Sequence, residues 1–215
     1  MNIRDVRDLV AEGEGQHLEF KRKINYPEKV VREMVAFANT SGGCLLVGVD
    51  DNGKIPGLRY PEEHDYALKK AIRELCVPAV KYENLIIPVS DEKSILYYAV
   101  KSAKKKPLYA KDQSIDKYGK AYVRVNDKTL KASREMTQIL RRKNPSKNVK
   151  FTYGDKEGIL MKYLDKHNRI TLKEFREIAS LNKFQASQTL IQLVLADVLR
   201  IIPKEKEDLF ELENI

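Results

Sequence analysis

Apolar residues at helical spacing, Ile3, Val6, Leu9 and Val10, predict a short opening helix, with Asn2 and Asp5 three residues apart as its cap. After the Gly-rich break Glu12-Gly-Glu-Gly-Gln16 the pattern switches to alternation. Leu18 and Phe20 fall on one side and His17, Glu19 and Lys21 on the other, as in a half-buried strand. Pro27 and Glu28 start a helix that runs to Asn39, its buried stripe made by Val30, Val31, Met34, Val35 and Ala38. It stops at Asn39-Thr-Ser-Gly-Gly43. Cys44-Leu-Leu-Val-Gly-Val49 is nearly all apolar and predicts an interior strand, closed by the turn Asp50-Asp-Asn-Gly53.

Further along, the pattern predicts a helix over 62–75, a hairpin from 84–90 and 94–100, and a late strand over 121–125. Pro88 marks its strand as an edge or a bulged one. A basic helix over 132–143 is opened by Ser133 and Glu135. Strands and helices are mixed without a repeat, so residues 1–143 read as one α/β domain, and Asn144-Pro-Ser-Lys-Asn148 reads as a linker. Periodic helices over 155–167, 171–180 and 184–199, then two short strands within 200–212, predict a small winged-helix domain over 150–215.

Hydrophobic residues at 42% and eleven tyrosines supply core material, which excludes a disordered or collagen-like class. No apolar run reaches the ~20 residues of a membrane span and the N-terminus lacks an apolar signal core, so a cytoplasmic location is expected. Cys44 and Cys76 read as buried thiols, and His17, His64 and His167 lack ligand spacing, which disfavours zinc. The net charge of +9 is concentrated. Residues 101–149 carry 15 basic and 4 acidic side chains, against 14 and 16 over residues 1–100 and 11 and 11 over residues 150–215. An anionic partner should meet the middle stretch.

The segments Leu18-Glu-Phe-Lys21, Ala36-Phe-Ala-Asn-Thr-Ser-Gly-Gly43 and Gly48-Val-Asp-Asp-Asn-Gly53 come in a distinctive order, closed by Tyr122-Val-Arg-Val-Asn126 and Lys131-Ala-Ser-Arg134. Together they resemble the Schlafen-type AlbA_2 domain, also called divergent AAA-4, over residues 10–130. The resemblance implies an α/β, mixed-sheet domain related to a nucleic-acid-binding fold, often followed by a winged helix in bacterial members. It also implies an alternative. Animal members include metal-dependent endonucleases acting on transfer or ribosomal RNA through an acidic cluster, and Glu14, Glu19 and Asp50 or Asp51 match that cluster. Mg²⁺ or Mn²⁺ would be a cofactor only under that reading. The same residues also fit plain turn chemistry, since Asp50 and Asp51 flank an Asn-Gly turn and Glu14 sits in a Gly-rich loop. One copy of the motif and no matching Cys/His cluster depart from the animal enzymes. No GxxxxGK[ST] sequence accompanies the AAA label, so no nucleotide cofactor is expected.

Candidate phosphate contacts are Lys104, Lys105, Lys106, Lys111, Lys117, Lys120, Arg124, Lys131 and Arg134, with Tyr109, Tyr118 and Tyr122 interleaved for stacking on bases. Lys183, Gln185 and Gln188 are candidate groove contacts at the start of the last helix. Asn39 is expected to fix its loop through backbone hydrogen bonds. The stripe Leu190, Ile191, Val194, Leu195, Val198 and Leu199 exceeds what a small three-helix core needs and predicts burial against a partner subunit. The expectation is a DNA-binding transcriptional regulator acting as a homodimer, with DNA favoured over RNA. The alternatives are a metal-dependent endoribonuclease on structured RNA and an interaction scaffold without nucleic acid. The neutral charge of residues 150–215 leaves open whether that domain reads DNA or only dimerises.

Overall fold

The side chain of Asn2 accepts from the backbone of Arg4 and Asp5, and Asp5 returns a bond to Asn2, a reciprocal cap that opens α1 (Ile3–Glu12). This computed structural model describes residues 1–112, 116–143 and 152–213, with only the backbone at Asp112 and over 116–118. The chain divides into two units, Met1–Lys131 and Ala132–Ile215. Among the described residues, no helix is long and apolar enough to cross a membrane.

The first unit continues with β1 (Leu18–Lys21), α2 (Pro27–Asn39), β2 (Gly43–Val47), α3 (Pro61–Leu75) and β3 (Cys76–Val77). It ends with β4 (Tyr82–Ser90), β5 (Lys93–Val100), β6 (Tyr109–Asp112), β7 (Asp116–Lys120), β8 (Tyr122–Val125) and β9 (Lys128–Lys131). The main sheet has the order β1-β2-β5-β4, in which only β1 and β2 are parallel, registered from Leu18 opposite Cys44 to Lys21 opposite Val47. Parallel neighbours need a crossover, and α2 is that crossover. It buries Val31, Met34 and Val35 with Leu45, Val47, Leu96 and Tyr98 of the sheet and Leu68 and Ile72 of α3. On the other face, Val6 of α1 packs with Leu18, Phe20, Leu46 and Ile95. Pro88 lies on the outer strand β4 beside a register shift. A small sheet β3-β6-β7 and the hairpin β8-β9 complete the unit, and α2 packs against β6 and β8.

The second unit comprises α4 (Arg134–Arg142), α5 (Asp155–His167), β10 (Arg169–Thr171), α6 (Leu172–Ile178), α7 (Lys183–Leu195), β11 (Leu199–Ile202) and β12 (Leu209–Leu212). Its sheet has the order β10-β12-β11, antiparallel throughout. Thr171 with Glu174, and Asn182 with Gln185, form the capping boxes of α6 and α7. Glu211 joins the strands by accepting from Arg169 at 2.6 Å and from Arg200 Nε at 2.5 Å, and the Arg169 bond leads in holding its carboxyl below the usual range.

Two expectations change here. The basic helix groups with the second unit, because Ile139 joins that core and Glu135 hydrogen-bonds Ser187 of α7. The boundary therefore falls after Lys131 rather than after Lys143. The apolar stripe expected to bury a partner is already covered. Leu190, Ile191, Val194, Leu195 and Leu199 are buried among Ile139, Leu160, Leu164, Phe175 and Phe210 of the same unit, with Val198 packed at their edge. With α4 counted, the core is large enough for the whole stripe, and the argument for a dimer loses its basis.

Candidate nucleic-acid interface

The C-terminal turn of α2 holds a lysine-bearing segment. Ala103 N donates to Ala38 O at 2.8 Å, Ser102 Oγ to Thr40 O at 2.7 Å and Lys106 Nζ to the same carbonyl at 2.5 Å. The buried Asn39 amide accepts from Leu108 N at 2.7 Å and donates to Leu108 O and to Tyr122 O, each at 2.9 Å. The loop-fixing role expected of Asn39 is thus performed across 69 residues of sequence. Gly42, at φ +85°, lets the chain turn beneath this segment, since a Cβ there would come within 2.7 Å of Val100 O. The Ala-Asn-Thr-Ser-Gly-Gly stretch is therefore a seat for residues 102–108.

That seat sorts the lysines. Lys104 and Lys105 stand exposed at the bend of the segment. Lys106 is half-buried with its ammonium on the carbonyl end of α2, where the helix dipole favours a cation. Lys101 pairs with Glu83 at 2.5 Å. Lys111 and Lys120 are half-buried and Lys131 is exposed. Lys117 and Tyr118 fall outside the residues whose side chains are described. Tyr109 and Tyr122 are half-buried, Tyr122 against the main core with Arg32 over its ring at 5.8 Å. In the second unit Arg134, Lys183 and Gln185 are exposed, and half-buried Gln188 accepts from Arg142 at 3.5 Å.

Arg124 corrects the expectation most. It is 3% exposed, and its guanidinium donates to Gly15 O and Leu18 O at 3.1 Å, to Thr129 Oγ1 at 3.3 Å and to Glu19 Oε2 at 2.6 Å. It is a structural clamp, not a phosphate contact. The other oxygen of Glu19 takes Lys21, which also pairs with Glu33 at 3.2 Å. Glu33 Oε2 is buried without a partner, and burial, followed by the charge of Glu19, pushes its carboxyl up to about 7.

The acidic residues of the alternative are held in the same region by different bonds. Glu14 accepts from Phe20 N at 2.8 Å, and burial raises its carboxyl, with Glu19 and Asp51 adding to the rise. With Gly15 N on Leu18 O, this bond closes the outer edge of β1. Asp50 pairs with Arg22 at 3.4 Å and shapes its turn through bonds with Lys54 and Gly53, while Asp51 is exposed. Both Glu19 oxygens face cations, and among the described residues no three His, Cys, Asp or Glu side chains gather as a metal-holding group. Glu19, with a cation on each oxygen, is not free to ligate a divalent cation. The clamp escaped the sequence reading because Arg124 and Glu19 lie on strands far apart in the chain, and alternation alone marks both as solvent-facing.

The family described as Schlafen, AlbA_2 matches residues 14–133. No curated protein matches the chain. Among solved structures, the N-terminal domain of a RecG-related protein from Nitrosomonas europaea is 28% identical, with a TM-score of 0.45 over 58% of this chain and 89% of that one. The DIP2311 protein from Corynebacterium diphtheriae is 17% identical, with a TM-score of 0.47 over 91% of this chain and 37% of that one.

Proposed function

The chain belongs to the Schlafen AlbA_2 family, and from that premise we propose that it is a nucleic-acid-binding protein, a DNA-binding regulator that contacts phosphates through the Lys104–Lys105 bend. The observation that carries this reading is the seat built by Ala38, Asn39 and Thr40, which presents two exposed lysines on a fixed backbone. Lysines held this way neutralise phosphates and release counterions. The order α5-β10-α6-α7-β11-β12, with its three-stranded sheet, supports reading the second unit as a winged helix that adds contacts of its own. Binding is favoured over cutting because Glu19 is neutralised by Arg124 and Lys21. Self-association forms no part of the proposal.

The test is an electrophoretic shift assay with duplex DNA, single-stranded DNA and structured RNA at several salt concentrations, with Mg²⁺ and Mn²⁺ present and the products inspected for cutting. The expected result is salt-dependent binding without scission, tightest on duplex DNA. The double variant Lys104→Ala/Lys105→Ala should make the slope of log K against log salt shallower by about 2. An unchanged slope, or metal-dependent scission by the wild type, would overturn the reading.

A further inference from the structure

Helix α7 is the element that a helix-turn-helix lays in the major groove, yet little of it is open. Past the exposed Lys183 and Phe184 at its start, its open positions, Gln185, Gln188 and Gln192, continued by Ala196 just beyond its end, span roughly 80° of the circumference at 3.6 residues per turn. One side of that stripe faces the core. The other side, carrying Ser187, Ile191 and Leu195, is also buried, and α4 packs there. Glu135 of α4, 9% exposed, accepts from Ser187 Oγ at 2.6 Å, and Ile139 lies in the same apolar cluster as Ile191. At the surface, Arg142 reaches Gln188 at 3.5 Å and Lys143 pairs with Asp197 at 3.7 Å.

Width decides the consequence. A single helix with its side chains is about 10–12 Å across and the major groove is about 12 Å wide, so one fits the other. Two packed helices with axes about 8–10 Å apart present about 20 Å and do not fit. We propose that the second unit meets duplex DNA through α4, with Arg134, Arg142 and Lys143 on phosphates, and does not insert α7 into the groove. The proposal rests on the nucleic-acid reading above. Arg134 and Arg142 are eight positions apart, about 12 Å along a helix, so they can hold phosphates on the two sides of a major groove. Charge agrees with this placement. Residues 150–215 are neutral, but the unit beginning at Ala132 carries 16 basic and 12 acidic side chains. The bonds of Arg142 and Lys143 are long and exposed, so a phosphate oxygen can replace them. Contacts of this kind position a protein without reading bases.

The test uses the full chain and fluorescence anisotropy on two unrelated DNA duplexes of about 20 base pairs, titrated between about 50 and 200 mM salt. Arg134→Ala/Arg142→Ala/Lys143→Ala should lose the same factor of affinity on both duplexes and flatten the salt slope by about 2 to 3. Gln185→Ala/Gln188→Ala should leave the affinity ratio between the duplexes within about twofold, since losing base readout costs roughly five- to 150-fold per contact where it exists. A triple variant with wild-type slope and affinity would overturn the assignment, as would a Gln variant that abolishes a tenfold or larger preference. Should Lys104→Ala/Lys105→Ala alone flatten the slope, the assignment to α4 falls while nucleic-acid binding stands. A wild type that binds neither duplex at any salt removes both.

Discussion

Replacing Glu33 with Gln tests the buried charge cluster through its pH dependence. Glu33 has a folded pKa of about 7 against 4.5 when unperturbed, because burial and the neighbouring Glu19 outweigh the pull of Lys21 and Arg124. The native state therefore holds a proton that the unfolded chain has already released between these values. A raised carboxyl gives stability that is present at low pH and lost as pH rises through the folded pKa. At 1.36 kcal/mol per unit, the wild type should lose roughly 2–3 kcal/mol from this group between pH 5 and pH 8. Glu33→Gln mimics the protonated form and does not titrate. Urea unfolding of both proteins across that range should show the variant gaining on the wild type by roughly 2–3 kcal/mol as pH rises. A stability gap that stays flat with pH would show that Glu33 has the same pKa in both states and would refute the reasoning.

Arg124→Ala should cost about 3–5 kcal/mol, because it leaves Glu19 buried with one cation fewer and uncovers the carbonyls of Gly15 and Leu18. Denaturant midpoints measure the loss, and a variant of wild-type stability with a flatter DNA salt slope would show that Arg124 contacts phosphate after all. Asn39→Ala strips partners from Leu108 N, Leu108 O and Tyr122 O and should cost about 3 kcal/mol. Amide exchange at Leu108 should accelerate with it, and unchanged protection there would remove Asn39 from the seat.

Local chemistry was readable and long-range pairing was not. The Pro27 start of α2, its stripe from Val30 to Ala38 and its stop at Asn39-Thr-Ser-Gly-Gly43 follow from periodicity and turn residues, and the structure keeps all three. Strands of two or three residues, such as β3 and β10, carry too little pattern to be seen. Helix α7 ends at Leu195 because Asp197 adopts φ 53°, a left-handed turn inside what the apolar spacing extended to Leu199. Counting charge along the chain placed Arg124 among the phosphate contacts, whereas its partners Gly15, Leu18 and Glu19 lie more than a hundred residues away. The same linear view grouped α4 with the first domain and so left the apolar stripe without a cover; the linker expected over residues 144–148 lies outside the described residues.

The seat on α2 has an entropic side. A free lysine loop must be ordered when it binds, at about 1–2 kcal/mol per residue for the backbone alone. Residues 102–108 are ordered on folding, by bonds to Ala38, Asn39 and Thr40, so under the proposed function Lys104 and Lys105 would meet a phosphate with their backbone freedom already lost. Under the proposed function, affinity at the bend would depend on an uncharged, buried amide as well as on the two ammonium groups, and loosening that amide would weaken binding while net charge stays the same.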